Sequence, residues 1–294
     1  MKIAIFGQYY QNNTHEIVEK VTRFLREKSC DLYIYEKFLN KLLENSFVNP
    51  NLKTYSCHED LQNQFDFVIS IGGDGTILRA ATLVQDLNIP IIGINAGRLG
   101  FLATIQEENI EFFLEKIYTK EYTISKRALV NLQTSPENKN IGNINFALNE
   151  ITVSRKDTTS MITIETFIND EYLNSYWADG LIISTPTGST GYSLSCGGPV
   201  LMPTANCLVI TPIAPHTLTA RPLVIPDNVE IRLKVTGREE QFLVSMDSRI
   251  ASISNETQLT IKKAPFEILM VEFQEERFLK TIRKKLLWGE DKRN

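Results

Sequence analysis

Over its first 122 residues the chain alternates short apolar runs with amphipathic stretches, and this alternation restricts the possible folds more than any other feature. "KIAIFG" (2–7) reads as a buried strand; in 14–28 after it, Ile17, Val18, Val21, Phe24 and Leu25 fall on one helical face. The strand pattern returns in "DLYIYE", "DFVISI" (66–71) and "IPIIGIN" (89–95). Helices are expected from about Thr76 to Asp86 and near 107–119, the second burying Ile110, Phe113, Leu114 and Ile117. Apolar strands separated by helices predict a parallel, doubly wound sheet.

Beyond residue 122 the helical period fades, and short β-rich segments follow one another between turn residues: "FALNEITVSR", "MITIETFI", "GLIIST", "CLVITPI", "VEIRLKV", "FLVSM", "QLTIKK" and "FEILMVEF". Such a series predicts a β-sandwich-like domain. From about Glu275 to Trp288 the pattern is helical again, with Phe278, Ile282, Leu286 and Leu287 at compatible spacing. The expected fold class is therefore α/β plus all-β. A doubly wound α/β domain would span 1–122, a β-rich domain 123–273, and a helix in 274–294 would pack back on the first domain. The active site is expected in the cleft between the two domains.

Composition narrows the function. With 294 residues, 43% of them hydrophobic, the chain can bury full cores. Its 31 Lys plus Arg against 35 Asp plus Glu give a net charge of −4, without the basic surplus of a nucleic-acid binder. The N-terminal apolar run is too short for a secretory signal and no stretch approaches the ~18 apolar residues of a membrane span, so a cytoplasmic protein is expected. Cys30, Cys57, Cys196 and Cys207 are widely spaced and read as free thiols, with no zinc spacing. With only three histidines in the chain, acid–base chemistry falls more naturally to a carboxylate.

Four segments carry candidate chemistry. In "ISIGGDGTIL" a strand runs into Gly72 and Gly73, then Asp74, Gly75 and Thr76, before a helix opens. Glycines at a strand end let backbone N–H groups approach a phosphate, and the helix start favours the anion. No Gly-Lys pair and no G-x-G-x-x-G occurs, so neither a P-loop nor a dinucleotide fingerprint explains it. Asp74 then either accepts a proton or holds a metal in phosphoryl transfer, or simply caps the helix. In "WADGLIISTPTGSTGYSLSCGGPV" (177–200) no charge follows Asp179, and the dense hydroxyls and glycines suit a polar ligand held by neutral hydrogen bonds. In "NFALNEITV", Asn149 and Glu150 can address one ligand only if the strand ends or bends there, because adjacent strand residues face opposite sides. In "NAGRLGFLA" (95–103), Phe101 is either a stacking surface for a flat base or a core residue.

Together and in this order, "GGDGT", "NAGRLGFL", "NE" and "DGLIISTPTGSTGYSLSCGGP" resemble the NAD kinase family, and "PHTLTARPLVI" and "SMDSRI" look like its bacterial members. The resemblance implies phosphoryl transfer from ATP or polyphosphate to the 2′-hydroxyl of the adenosine ribose of NAD, giving NADP. It implies Asp74 as general base and Gly72, Gly73, Gly75 and Thr76 around the donor's phosphates, with a divalent cation such as Mg2+ whose ligands are unknown. By the same matching, Asp74 and Gly75 also touch NAD, Asn149 and Glu150 bind its ribose hydroxyls, and Asp179 contacts the nicotinamide side. Thr190, Gly191, Tyr192, Ser193, Leu194, Ser195 and Ala214 would line the adenine and ribose pocket, Tyr192 by stacking. Arg79 would meet a phosphate, and Phe101 would lie near the dinucleotide. A homo-oligomer, dimer or tetramer, joined through β-rich domains is implied. Trp177 stands where members selective for NAD over NADH often carry a basic residue, and Arg249 where relatives frequently carry glutamine.

Two rival functions share parts of this pattern. Lipid kinases of the diacylglycerol type also carry GGDGT, but theirs typically continues into Asn-Glu-Val where this chain has "ILRA". A non-catalytic dinucleotide sensor would keep the pocket, but it gains little from an acid beside phosphates.

Overall fold

The computed structural model describes residues 1–9, 14–45, 52–62, 64–157 and 160–289. The chain divides into two compact units, Met1–Lys126 with Ile268–Asn294, and Arg127–Glu267.

The first unit contains, in chain order, β1 (Lys2–Gly7), α1 (Thr14–Glu27), β2 (Asp31–Tyr35), α2 (Glu36–Glu44), β3 (Lys53–Tyr55), α3 (His58–Leu61), β4 (Phe67–Gly72), α4 (Asp74–Val84), β5 (Ile91–Asn95) and α5 (Ile110–Tyr118). Its strands pair in parallel in the order β3-β2-β1-β4-β5. The chain thus moves outward through β2 and β3, then restarts beside β1 and moves the other way. Right-handed crossovers in opposite directions place helices on both faces. Every residue of β4 and β5 is accordingly buried. Ile3, Ile5, Ile69 and Ile71 of the sheet share one core with Ile17, Val21, Leu42 and Phe113 of the helices. Such a reversal opens a crevice at the carboxyl ends of the two central strands. Gly7 ends one of them and Gly72 the other. Helix α2, which the expected elements do not include, starts directly at the end of β2, behind Tyr35, whose side chain makes no capping bond; Phe38, Leu39 and Leu42 mark its buried face.

The second unit is built from β6 (Thr123–Ser135), β7 (Phe146–Ala147), β8 (Glu150–Ser154), β9 (Ile162–Ile168), β10 (Glu171–Ala178), β11 (Gly180–Ser184), the single turn α6 (Tyr192–Ser195), β12 (Cys207–Ile213), β13 (Leu223–Pro226), β14 (Ile231–Thr236), β15 (Gln241–Met246), β16 (Arg249–Ser254) and β17 (Gln258–Glu272). The first residues of β6 and the last of β17 belong to the other unit. One sheet runs β10-β9-β14-β17, with β6 beside β17 and β7 beside β6; the other runs β13-β12-β11-β8-β15-β16. Ile164, Leu233 and Ile261 from the first sheet and Ile151, Ile183, Ile210 and Val244 from the second form a common core, the arrangement of a β-sandwich. Alternation is clear in β14, where Ile231, Leu233 and Val235 point inward.

In the first unit the end of β17 lies parallel to β5, Met270 opposite Ile91, and the chain finishes in α7 (Phe278–Leu286), which buries Ile282. Lys116 of α5 bonds Glu275, just ahead of that helix, at 2.6 Å. Among the described residues no helix is long and apolar enough to cross a membrane.

Candidate active site

In the first unit the turn after β4 is organised around Asp74. Helix α4 opens on this residue, but the side chain makes no capping bond, and Gly73 is the residue before the helix. The carboxylate turns instead to the 95–103 loop and accepts three backbone N–H groups: Phe101 on Oδ2 at 2.8 Å, and Leu102 and Ala103 on Oδ1 at 2.9 and 3.0 Å. An ionised carboxylate has about four lone-pair positions, so one on Oδ2 stays open for another donor. Gly100 makes the clamp possible, because a Cβ there would stand 1.9 Å from Asp74 Oδ1.

The glycines of the turn divide by purpose. Gly72 has φ +154°, and a Cβ would lie 2.2 Å from Thr76 Oγ1, so the fold itself requires it. At Gly73 and Gly75 an added Cβ meets nothing within 4 Å. Packing does not demand those two glycines; their small size leaves open approach to the backbone N–H groups at the helix start. The Thr76 hydroxyl donates to Gln8 Oε1 at 3.4 Å, tying the turn to the end of β1. Arg79, one helical turn on, is exposed beside Lys37 and Lys41. Phe101 offers its backbone to Asp74, whereas its ring lies 6.5 Å from that of Phe278 with Lys285 Nζ 4.6 Å from its centroid. The half-buried ring thus has the C-terminal helix on one side.

In the second unit β7 ends at Ala147 and β8 starts at Glu150, so the strand does break at Leu148–Asn149, as two adjacent ligand-facing residues require. The break is held by Asp247, a buried acid with φ +52° that sequence reasoning missed. Its carboxylate accepts the backbone N–H groups of Leu148 (3.0 Å), Asn149 (2.8 Å) and Glu150 (3.3 Å). Arg249 turns inward and donates to the carbonyls of Ile144 and Phe146, which fixes the chain leading into the break. Thr185 donates to Leu148 O at 2.6 Å and accepts from Gly188 N–H at 3.1 Å. A Cβ on Gly188 would stand 2.1 Å from Asn149 O. So much of "STPTGSTG" serves to seat the Asn149–Glu150 pair. Asn149 Oδ1 and Glu150 Oε2 are nevertheless buried without a hydrogen-bond partner. Buried polar atoms left unpaired are costly, and a bound ligand is a ready explanation for them.

The remaining predicted residues belong to the same unit. Tyr192 faces the Glu150 carboxyl with its backbone N–H, which favours the ionised form. Its ring is 45% exposed and its phenol is pushed up by burial, then by Cys196, Asp179 and Glu150, which places it near both carboxylates. Thr190 donates to Thr187 O, Leu194 is half-buried and Ser195 exposed. Gly191 has Glu150 Oε2 only 3.0 Å from where a Cβ would stand. Ser193 spends its hydroxyl on Thr211 at 2.8 Å. Asp179, at the bend from β10 to β11, pairs with Arg155 at 3.0 Å, a partner the sequence did not announce. Ala214, just after β12, has φ +42°, a backbone state rare for alanine, of the sort that gathers at ligand sites. Trp177 stacks on His216 with ring centroids 4.3 Å apart.

The Glu150 carboxyl is pushed up to about 7, first by burial and then by the Asp247 carboxylate, against the pull of Tyr192 N–H. Burial also pushes Asp247 up, although its three N–H donors oppose this. Since Glu150 holds its proton in the folded chain well above its ordinary 4.5, its contribution to stability is full below that value and is lost as pH rises through about 7. Glu150→Gln should remove this dependence. The melting temperature of the wild type minus that of the variant is expected to fall between about pH 5 and about pH 8, which calorimetry at a series of pH values would check.

Among the described residues no three His, Cys, Asp or Glu side chains converge as a metal cage. Residues 3–122 match the ATP-NAD kinase N-terminal domain and residues 148–273 the ATP-NAD kinase C-terminal domain. The NAD kinase of Flavobacterium psychrophilum is 65% identical over 294 residues and that of Flavobacterium johnsoniae 61%, each comparison covering 100% of both chains. Among solved structures, yeast NADH kinase complexed with NADH aligns with a TM-score of 0.85 at 22% identity, covering 98% of this chain and 88% of that one, a likeness of fold. An NAD kinase from Archaeoglobus fulgidus in complex with ATP aligns with a TM-score of 0.75 at 26% identity over 97% of each chain. With matching domains in both halves and full-length relatives this similar, the chain belongs to the NAD kinase family.

Proposed function

We propose that the chain transfers the γ-phosphoryl group of ATP to the 2′-hydroxyl of the adenosine ribose of NAD, giving NADP. The observation that carries this reading is the Asp74 carboxylate, fixed by three N–H groups with one lone pair open, beside two glycines that packing does not require. A ribose hydroxyl is a weak nucleophile at neutral pH. Asp74 accepts its proton as the bond to phosphorus forms, and the N–H clamp spares the carboxylate any search for its orientation. Gly72, Gly73, Gly75 and Thr76 admit the donor's phosphates. Asn149 Oδ1 and Glu150 Oε2 receive the ribose hydroxyls, Tyr192 stacks on the base, and Asp179, oriented by Arg155, meets the nicotinamide side. Thr190, Gly191, Leu194, Ser195 and Ala214 line the adenosine pocket, Ser193 through its backbone.

The donor set suits a Mg2+ that arrives on the nucleotide's phosphates, since such an ion needs few protein ligands. When bound there, such an ion would supply neutralisation of charge on the transferring oxygens. Four free cysteines accord with a cytoplasmic setting. Exposed Ile250 and Val224, on the edge strands β16 and β13, support a homo-oligomer joined through the β-rich units.

The test is ADP release from ATP in the presence of NAD, compared with diacylglycerol: release with NAD alone is expected, and release with the lipid alone would refute the reading. Gly75→Ala separates binding from folding. Alanine should hold or raise the melting temperature, being favoured over glycine in a helix by up to about 1 kcal/mol. The same methyl group should raise KM for the donor by about tenfold by crowding the phosphates.

A further inference from the structure

The 95–103 loop, which supplies the N–H groups on Asp74, is itself held by one buried side chain, that of Asn95. We propose that Asn95 is a positioning residue for the phosphoryl transfer: its amide fixes the loop, and through the loop it keeps the Asp74 carboxylate in a single orientation. This rests on the reading of Asp74 as the proton acceptor given above.

The chemistry of the side chain is the first argument. Asn95 closes β5, and only 3% of it is exposed. Its Nδ2 donates to Arg98 O at 2.7 Å and to Ala103 O at 3.3 Å, and its Oδ1 accepts from Gly97 N–H at 2.7 Å. One planar amide thus ties the outgoing limb of the loop to the returning one. Asparagine offers two donors and an acceptor on a short stem, whereas an ionised aspartate lacks the donors and serine has only one. The backbone N–H of the same residue donates to Ile105 O at 2.7 Å, just past the loop. A buried polar group whose partners are in place holds one geometry.

Connectivity is the second argument. Ala103 takes the Asn95 amide on its carbonyl and gives its N–H to Asp74 Oδ1 at 3.0 Å, so a single residue links Asn95 to the carboxylate. Ala103 O also accepts from Gly100 N–H at 3.3 Å, closing the turn that presents the N–H groups of Phe101 and Leu102. The loop packs directly on the strand backbone: a Cβ on Gly93 would stand 2.8 Å from Leu102 O and 2.9 Å from Ala103 Cα. Ala96 N–H donates to Gly72 O at 3.2 Å, which joins the loop to the glycine turn. Loop and turn therefore form one hydrogen-bonded frame around the carboxylate. A reacting group displaced by about 1 Å loses about 10²-fold in rate, so a frame of this kind bears on turnover and not only on folding.

The test is a double-mutant cycle read beside hydrogen exchange. Asn95→Asp keeps the shape and the acceptor but sets an oxygen against the carbonyls of Arg98 and Ala103. Asn95→Ala removes the amide and adds no buried charge. Each is expected to lower kcat by about tenfold to 10²-fold, with KM for ATP and for NAD within about threefold of the wild type. In an Asp74→Asn background the same substitutions should change kcat by less than about twofold, because the group they position is gone. Ile110→Val, a buried change in α5, should lower the melting temperature and leave kcat alone. Equal losses of kcat with and without the Asp74 carboxylate, or a rise in KM at unchanged kcat, would overturn the proposal. Deuterium exchange needs no turnover: the amides of Phe101, Leu102 and Ala103 should exchange about tenfold faster in both Asn95 variants, with those of β4 unchanged. Unchanged exchange at the loop amides would also overturn it. No NADP from the wild type would refute the enzymatic reading and not the clamp, which the exchange alone then decides.

Discussion

Asp74→Asn is expected to lower kcat by about 10²- to 10⁴-fold, the range supplied by a positioned general base. Dissociation of NAD should change by less than about threefold. Asparagine keeps the shape of the side chain, and its carbonyl can still accept from Leu102 and Ala103. Its amide would face the N–H of Phe101, donor against donor. That clash costs about 1–2 kcal/mol of stability, a fall in melting temperature of about 2–8 °C at this size. Stability and turnover are thus affected by very different amounts. Equilibrium titration of NAD beside steady-state kinetics measures both, and equal losses in turnover and NAD affinity would make Asp74 a binding residue.

Asp247→Ala should have the largest effect on the second unit. It strips the acceptor from three consecutive N–H groups, and each buried donor left unpaired costs about 1–3 kcal/mol. The Asn149–Glu150 break then loses its shape, and KM for NAD is expected to rise by about tenfold or more with a smaller change in kcat. Asp247→Asn should restore part of both losses, because asparagine tolerates the left-handed backbone at this position and keeps one acceptor. Equal defects in the two variants would show that the N–H clamp does not set the geometry of the NAD half-site.

These two acids mark where the sequence could be read and where it could not. "SIGGDGTIL" was legible as a phosphate turn because strand, glycines and helix start are neighbours in the chain. The fate of the Asp74 side chain was not, since its partners lie 27 to 29 residues away in another loop. Nor could composition separate Gly72, required by Thr76, from Gly73 and Gly75, which face open space. The demand placed on Asn149 and Glu150 followed from strand alternation alone, and the chain meets it with a break between β7 and β8. What holds that break, the acid of "SMDSRI", left only the weak signal of a charge at the end of an apolar strand. Phe101 stood open between its two readings in the sequence, and in the structure its ring meets Phe278 and Lys285 of the C-terminal helix. Doubly wound sheet and β-sandwich were both readable, because each burial pattern repeats over many strands. Helix α2 was readable only from the spacing of Phe38, Leu39 and Leu42, because it begins with neither a loop nor a cap.

The central claim is transfer to the ribose 2′-hydroxyl, and the most direct measurement is the product itself. The wild-type chain would be incubated with NAD, ATP and Mg2+, with the new phosphate assigned by 31P NMR and NADP counted with a dehydrogenase that accepts only NADP. One 2′-phosphomonoester is expected for each ADP released, with all of the product active in the dehydrogenase assay. No NADP from NAD, or phosphate found on any other hydroxyl, would contradict the account.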